Sequence, residues 1–231
     1  MLKDASWITA PVQIGSVCPE FYTNIRCEKK IKKAVLTASA VGMYTAYING
    51  KRVGDELFTP YWTEYKSHIQ YQVYDVTDFL GEICELSFIC AEGSAVGKIG
   101  YNGLNHSFYD HISLIYSLDI EYEDKNVNTV VSDENTGVRT SNILFSQIYD
   151  GETIDKTAEK KELGFAVNSS VSSTLILQEG EKVIPQDRIK PVRYFVSPRG
   201  EHIIDFGQNL SGYAEISAEE TEASDGVFCG Q

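Results

Sequence analysis

The stretch Ser113-Leu114-Ile115-Tyr116-Ser117-Leu118-Asp119-Ile120-Glu121-Tyr122 decides the fold class. Leu114, Tyr116, Leu118, Ile120 and Tyr122 fall on one face. Ser113, Ser117, Asp119 and Glu121 fall on the other, with Ile115 the exception. A period of two with one apolar face is the signature of an antiparallel strand packed on one side. Ile69, Tyr71 and Val73 alternate with Gln70 and Gln72 in the same manner, as do Leu86, Phe88 and Cys90 with Glu85, Ser87 and Ile89. Upstream, Ala34 to Ala40 and Met43 to Ile48 read as strands split at Gly42. The second runs into Asn49-Gly50, a type I′ hairpin signal because both turn residues need positive φ, and Lys51 to Val53 reads as the return strand.

Short β-rich stretches recur at Thr129–Val131, Thr174–Leu177, Tyr194–Val196, His202–Asp205 and Tyr213–Ser217. Helical periodicity is scarce: Val76 to Leu80 reads as one turn capped by Asp75, and Thr157 to Leu163 as a second short candidate. Many short strands separated by turn signals predict an all-β protein built on antiparallel sandwiches. Alternation fades between Asp155 and Ser173. The expected organisation is therefore a β-sandwich over residues 1–160 and the start of a second β-domain over 161–231. The acidic run Glu219 to Asp225, followed by Val227-Phe228-Cys229, reads as a domain cut before its last strand finds a partner.

Composition narrows the function classes. Among 231 residues, 33 acidic side chains oppose 20 basic ones, a formal charge of −13. That balance argues against phosphate-backbone binding, which needs clustered Lys and Arg. The one basic cluster, Lys29 to Lys33, reads as a solvated edge or turn. No apolar run approaches the roughly 20 residues that span a bilayer, and the N-terminus lacks the apolar core of a secretory signal. The five cysteines are odd in number and form no CxxC pair, so reduced thiols and a cytoplasmic location are expected. No nucleic-acid or membrane partner is expected.

Catalytic motifs are weak. Gly93 to Ile99 imitates a phosphate loop, but its first glycine is misplaced and Ile99 stands where the Mg²⁺-binding hydroxyl belongs. No GxSxG elbow occurs, and nothing local among His68, His106, His111 and His202 points to a Ser-His-Asp triad. The spacing of His106, Asp110 and His111 matches no zinc signature. Asp119, Glu121 and Glu123 fall on a polar strand face and read as solvated. Tyr149-Asp150-Gly151-Glu152 is a turn whose acids would either ligate a hard cation such as Ca²⁺ or clamp a loop between domains. The aromatic, turn-prone Phe58 to Tyr65 would either stack on the apolar face of a sugar or plug a sandwich edge.

Five motifs, in order, resemble the N-terminal region of bacterial α-L-rhamnosidases. Trp7-Ile8 precedes Ala38 to Tyr44, which leads to Ile48-Asn49-Gly50-Lys51-Arg52-Val53-Gly54-Asp55. Thr59 to Tyr65 looks like PGWTxY, with Tyr61 in place of the glycine. Tyr71 to Thr77 looks like YxxYDVT, Ile148 to Asp155 like YDGExxDA, and Asp205 to Tyr213 like DFGQNxxGW. The resemblance implies a jelly-roll sandwich similar to carbohydrate-binding modules, some of which hold rhamnose with a Ca²⁺ ion. It also implies a following β-domain and, downstream, an (α/α)₆ barrel carrying the catalytic carboxylates, which is this region's expected partner. No catalytic residue is carried over to this sequence. Where the family has GWYxGxxG, Gly93 to Gly100 lacks the aromatics, removing a stacking surface worth about 1 kcal/mol.

The resemblance makes the chain a non-catalytic β-region that supports hydrolysis of terminal α-L-rhamnosides. Two alternatives stand beside it: a stand-alone module for rhamnose-type, rhamnose-containing carbohydrate, and a purely structural or interaction domain. The sugar-binding candidates are Asn49, Asp55, Glu56, Tyr61, Trp62 and Tyr65. The inter-domain or cation-loop candidates are Asp150, Glu152, Asp205, Gln208 and Asn209.

Overall fold

The computed structural model describes residues 2–100, 104, 106 and 108–215. It divides into two compact units, Met1–Lys182 and Val183–Gln231. Fifteen strands belong to the first: β1 (Ile8–Thr9), β2 (Pro19–Arg26), β3 (Ile31–Val41), β4 (Met43–Ile48), β5 (Lys51–Arg52), β6 (His68–Asp75), β7 (Ile83–Ala91), β8 (Ser113–Tyr122), β9 (Val127–Val131), β10 (Gly137–Thr140), β11 (Ile143–Gln147), β12 (Gly151–Ile154), β13 (Glu162–Phe165), β14 (Val167–Asn168) and β15 (Thr174–Leu177). One sheet runs β14-β1-β8-β3-β6-β15, with β9 also paired to β8; the other runs β13-β10-β2-β7-β4-β5. Pairing is antiparallel except between β15 and β6. Strands β11 and β12 form a separate hairpin.

The apolar face read from Ser113 to Tyr122 packs as expected, but Ser113, Ile115 and Ser117 on the opposite face are buried as well. Leu114, Tyr116, Leu118, Ile120 and Tyr122 of β8, with Ala34, Leu36, Ala38 and Ala40 of β3, meet Phe21, Ile25, Ala46, Ile48, Leu86 and Phe88 of the other sheet in one buried cluster. The Phe88 and Tyr116 rings stack across the gap with centroids 4.8 Å apart. The Tyr116 hydroxyl lies 2.7 Å from Thr23 Oγ1 and 3.1 Å from Thr136 Oγ1, so the buried phenol is satisfied from two strands. The lysines before and within β3 pair with acids at the far end of β8: Lys30 with Glu123 at 2.6 Å and Lys32 with Glu121 at 2.7 Å. The basic run is therefore an ion-paired sheet end.

Strand β6 departs from the alternation as first read. Tyr74 and Gln72 face the main core, while Val73 on the opposite face is solvent-exposed. The inversion is tolerated because the Tyr44 hydroxyl donates to Gln72 Oε1 at 2.8 Å, which satisfies the buried amide. Ile69 instead joins a second buried cluster with Val41, Tyr65, Ala95 and Val96. Val76 to Leu80 contains a 3₁₀ turn at Thr77–Phe79; Val76 rather than Asp75 stands at its N-cap, and Asp75 accepts from the Thr77 N–H at 3.0 Å. Thr157 to Leu163 is not helical; its last residues open β13. Gly93–Val96 forms a four-residue helix within the stretch expected to be a plain loop.

The first unit extends beyond the expected boundary at residue 160, because β13, β14 and β15 all add to the two sheets. A polar network holds that extension. Arg139 of β10 reaches Glu20 at 2.8 Å and Glu85 at 2.7 Å, and Lys160 reaches Glu20 at 2.6 Å. Burial alone would raise the Glu20 pKa, but the hydrogen bonds from Arg139 and Lys160 outweigh it and hold the carboxyl below its usual range. The Arg139 guanidinium also lies 4.4 Å over the Tyr22 ring, whose hydroxyl donates to Glu162 at 2.9 Å.

In the second unit, β16 (Arg193–Val196) and β17 (His202–Asp205) form a hairpin. Tyr213 to Glu215 is not strand; the rest of that expected strand and the acidic run after it lie outside the described residues.

Removing one partner of a buried ion network leaves an uncompensated charge. Arg139→Ala is expected to cost about 3 kcal/mol, read as a lower urea midpoint at unchanged slope.

Candidate functional site

Between β5 and β6 the chain forms an aromatic loop pinned to the sandwich by its backbone. Gly54, at φ +71°, is needed because a Cβ there would sit 2.9 Å from the Tyr74 ring. Arg52 donates to the Glu56 carbonyl at 2.6 Å, and Thr59 Oγ1 donates to the Tyr44 carbonyl at 2.9 Å. The Tyr44 N–H donates in return to the Thr59 carbonyl at 3.1 Å. Pro60 follows a cis peptide bond, and Phe58 and Tyr61 flank it at φ 60° and 76°. Left-handed backbone at a bulky residue costs on the order of 1–3 kcal/mol, so these contacts over-determine a strained loop.

Glu56 is the electrostatic centre of the loop. Its buried carboxylate lies 2.7 Å from Lys182 Nζ and accepts the Tyr61 hydroxyl proton at 2.7 Å. Burial would raise its pKa, but hydrogen bonds from Lys182 and Tyr61, the lysine charge and a further bond from Gln178 prevail and hold it below the ordinary range. Glu56 is thus ionised, neutralised and unsuited to act as a general acid at neutral pH.

Beside it, Trp62, Tyr65 and Phe108 form an edge-to-face trio with centroids 5.2 to 5.9 Å apart. Tyr65 is buried, and burial pushes its hydroxyl up to about 12 against an opposing hydrogen bond with Ser94. Trp62 and Phe58 remain 54% and 56% exposed. The arrangement offers an apolar rim over a satisfied polar base, which suits binding rather than bond cleavage.

Of the expected sugar-binding residues, the structure brings together Glu56, Tyr61, Trp62 and Tyr65. Asp55 is solvent-exposed. Asn49 serves the hairpin turn instead, where its Oδ1 accepts from the Glu85 N–H at 2.9 Å. It sits at the end of β4 opposite Tyr44, the residue that borders the aromatic loop. Phe108, Gln178 and Lys182 complete the site and carried no local sequence signal. Only folding sets them beside the loop.

The second candidate set divides between the two units. Asp150 lies 2.5 Å from Lys98 Nζ, and the Tyr149 hydroxyl accepts from the Gly100 N–H at 3.4 Å, so this turn clamps one loop of the sandwich to another. Glu152 is exposed on β12. After burial itself, its charge and that of Glu92 push the Cys18 thiol up to about 12. In the second unit, Asp205 accepts from the Gly207 N–H at 2.8 Å and from Arg193 at 3.1 Å, while Gln208 and Asn209 are exposed. Glu56 and Asp150 are taken by lysines, and no three His, Cys, Asp or Glu converge among the described residues.

A carboxylate held below its ordinary pKa contributes stability above its unfolded pKa, and that contribution is lost as pH falls through the folded value. Glu56→Gln is therefore expected to flatten the loss of urea resistance as pH is lowered below about 4.5, relative to the parent chain.

Comparison with known proteins accounts for this arrangement. Residues 29–195 match the family model described as the alpha-L-rhamnosidase N-terminal domain. An alpha-L-rhamnosidase of Streptomyces avermitilis is 30% identical over 203 residues, covering 81% of this chain and 19% of that protein. One from Formosa agariphila is 26% identical, covering 92% of this chain and 24% of that protein. The chain thus spans about a fifth to a quarter of the length of these relatives. The crystal structure of the Aspergillus terreus alfa-L-rhamnosidase superposes with a TM-score of 0.84 at 29% identity, covering 90% of this chain and 26% of that one. The Dictyoglumus thermophilum alpha-L-rhamnosidase gives 0.76 at 27% identity, covering 89% of this chain and 26% of that one. With well over half of its residues matched, the chain belongs to the alpha-L-rhamnosidase N-terminal domain family.

Proposed function

We propose that this chain is the non-catalytic N-terminal β-region of an α-L-rhamnosidase, and that it supports hydrolysis of terminal α-L-rhamnosides by a helical barrel elsewhere in a longer protein. The observation that carries this reading is the family match over residues 29–195, made with relatives four to five times as long. The described residues supply no helical framework of their own: their helical segments are Gly93–Val96 and the turn Thr77–Phe79. The jelly-roll sandwich is a scaffold in this reading. A reducing, cytoplasmic setting is part of the proposal, supported by the free buried thiols Cys18, Cys27, Cys84 and Cys90.

Incubating the chain alone with 4-nitrophenyl α-L-rhamnopyranoside tests the reading. No nitrophenol above the buffer rate is expected; enzyme-proportional release would overturn it.

A second reading rests on Trp62, which is more than half exposed yet braced edge-on by Tyr65 and Phe108. A rigid exposed indole suits stacking on the apolar face of a sugar such as L-rhamnose. Calorimetric titration with L-rhamnose is expected to give a binding heat that Trp62→Ala abolishes and that calcium or a chelator leaves unchanged. A parent chain giving no heat would remove this reading and leave the scaffold role intact.

A further inference from the structure

His111, two residues before β8, is held at both ring nitrogens. Nδ1 lies 2.5 Å from Asp110 Oδ1, and Nε2 lies 2.9 Å from the Ser169 hydroxyl oxygen. The same Ser169 oxygen lies 2.7 Å from Ser113 Oγ. No local motif announces this constellation, because Ser169 reaches His111 only through pairing of the sheet's edge. Ser169 directly follows β14, which pairs with β1, and its N–H donates to the Trp7 carbonyl at 2.8 Å. Ser113 is fully buried as the first residue of β8, opposite Val41.

The contacts admit a proton assignment that makes Ser169 the donor to His111. His111 binds the Asp110 carboxylate, and that hydrogen bond holds the carboxyl below its usual range. In the tautomer that carries its proton on Nδ1, toward Asp110, Nε2 is an acceptor facing Ser169. In that tautomer Ser169 donates its hydroxyl proton to Nε2. Ser113 then donates to Ser169, so both hydroxyls are satisfied and the Ser169 proton is committed to the base. Nucleophile, base and orienting carboxylate stand at the separations that define a hydrolytic triad, whatever their order in sequence.

From this geometry we propose a second activity, distinct from rhamnoside hydrolysis and independent of it: Ser169 is an acyl-accepting nucleophile, with His111 as its general base and Asp110 as positioning residue, acting on small carboxylic esters. Ser169 Oγ attacks the ester carbonyl and its proton passes to His111 Nε2. The ester C–O bond then breaks, and the imidazolium returns the proton to the leaving alkoxide. Water, deprotonated by the same nitrogen, cleaves the acyl-serine to release a carboxylic acid and restore the hydroxyl. Ser170, the residue after the nucleophile, is exposed and outside any strand, and the proposal assigns its N–H as the oxyanion donor. The substrate is small because the site is shallow: the His111 and Asp110 side chains are 42% and 84% exposed. Its acyl group would lie toward the partly buried Trp7, Ile112 and Val171.

Two readouts on the full chain test the proposal. Diisopropyl fluorophosphate, which loses fluoride to an activated serine, is expected to leave one adduct on the peptide containing Ser169. Turnover of 4-nitrophenyl acetate is expected to fall at least about a hundredfold in Ser169→Ala and in His111→Gln. Asp110→Asn changes an exposed side chain and keeps the fold. It is expected to slow labelling and move its pH profile downward, since the remaining titratable neighbour, His106, does not replace the carboxylate. An unlabelled Ser169 in the folded parent, or Ser169→Ala turning over ester as fast as the parent, would overturn the proposal and reduce the array to a structural link between β14 and β8.

Discussion

Phe88 and Tyr116 stack across the space between the two sheets, and the rest of the molecule depends on that meeting. Each ring belongs to a strand with pairing on both sides, so the contact locks the register of one sheet against the other. The Tyr116 hydroxyl extends the lock by bonding Thr23 in the facing sheet and Thr136 just before β10. With the sheets fixed, the loops at their ends are fixed too. The aromatic loop hangs from β4 through Tyr44 and Thr59, and Ser169 is delivered to His111 by the β1–β14 edge. The chemistry at the ends of the sandwich is thus positioned by apolar burial at its centre.

Period-two patterning made the central strands legible. In β8, β3 and β7 the apolar face that alternation assigns lines the main core, but in β8 and β3 the opposite face is covered too, at Thr37, Ser39, Ser113, Ile115 and Ser117. Strand β6 was misread because both its faces are used. Ile69 fills a second cluster, while Gln72 turns inward to meet Tyr44. An amide read as solvent-facing is buried there because its partner lies on another strand, and pattern alone does not show partners. The strands after residue 160 were assigned to the next domain for a related reason. They are short edge strands with little burial of their own, tied back by Tyr22 to Glu162, 140 residues apart, and by Leu163, Ala166, Val171 and Leu175 against the two apolar clusters.

The aromatic loop was half legible. Phe58 to Tyr65 stood out by composition, and Trp62 does present an exposed ring. The acid beside it has a different role from the one its position suggested. Glu56 is not a free sugar-facing carboxylate but the anchor for Lys182, the last residue of the sandwich unit. The same contact neutralises the carboxylate and ties the end of the sandwich to the aromatic loop. That suits a scaffold: the sugar-binding candidate Glu56 and the cation-loop candidate Asp150 both hold loops in place through lysines. The family relationship and the site's electrostatics therefore point the same way.

The strands following residue 160 belong to the same folding unit as the Phe88–Tyr116 core, closed by the Glu56–Lys182 pair. Limited proteolysis under native conditions, read by mass spectrometry, tests it most directly. The first stable fragment is predicted to retain β13, β14 and β15, to end beyond Lys182, and to melt at the temperature of the intact sandwich. Early cleavage near residue 160, leaving a fragment that melts unchanged without those strands, would contradict it.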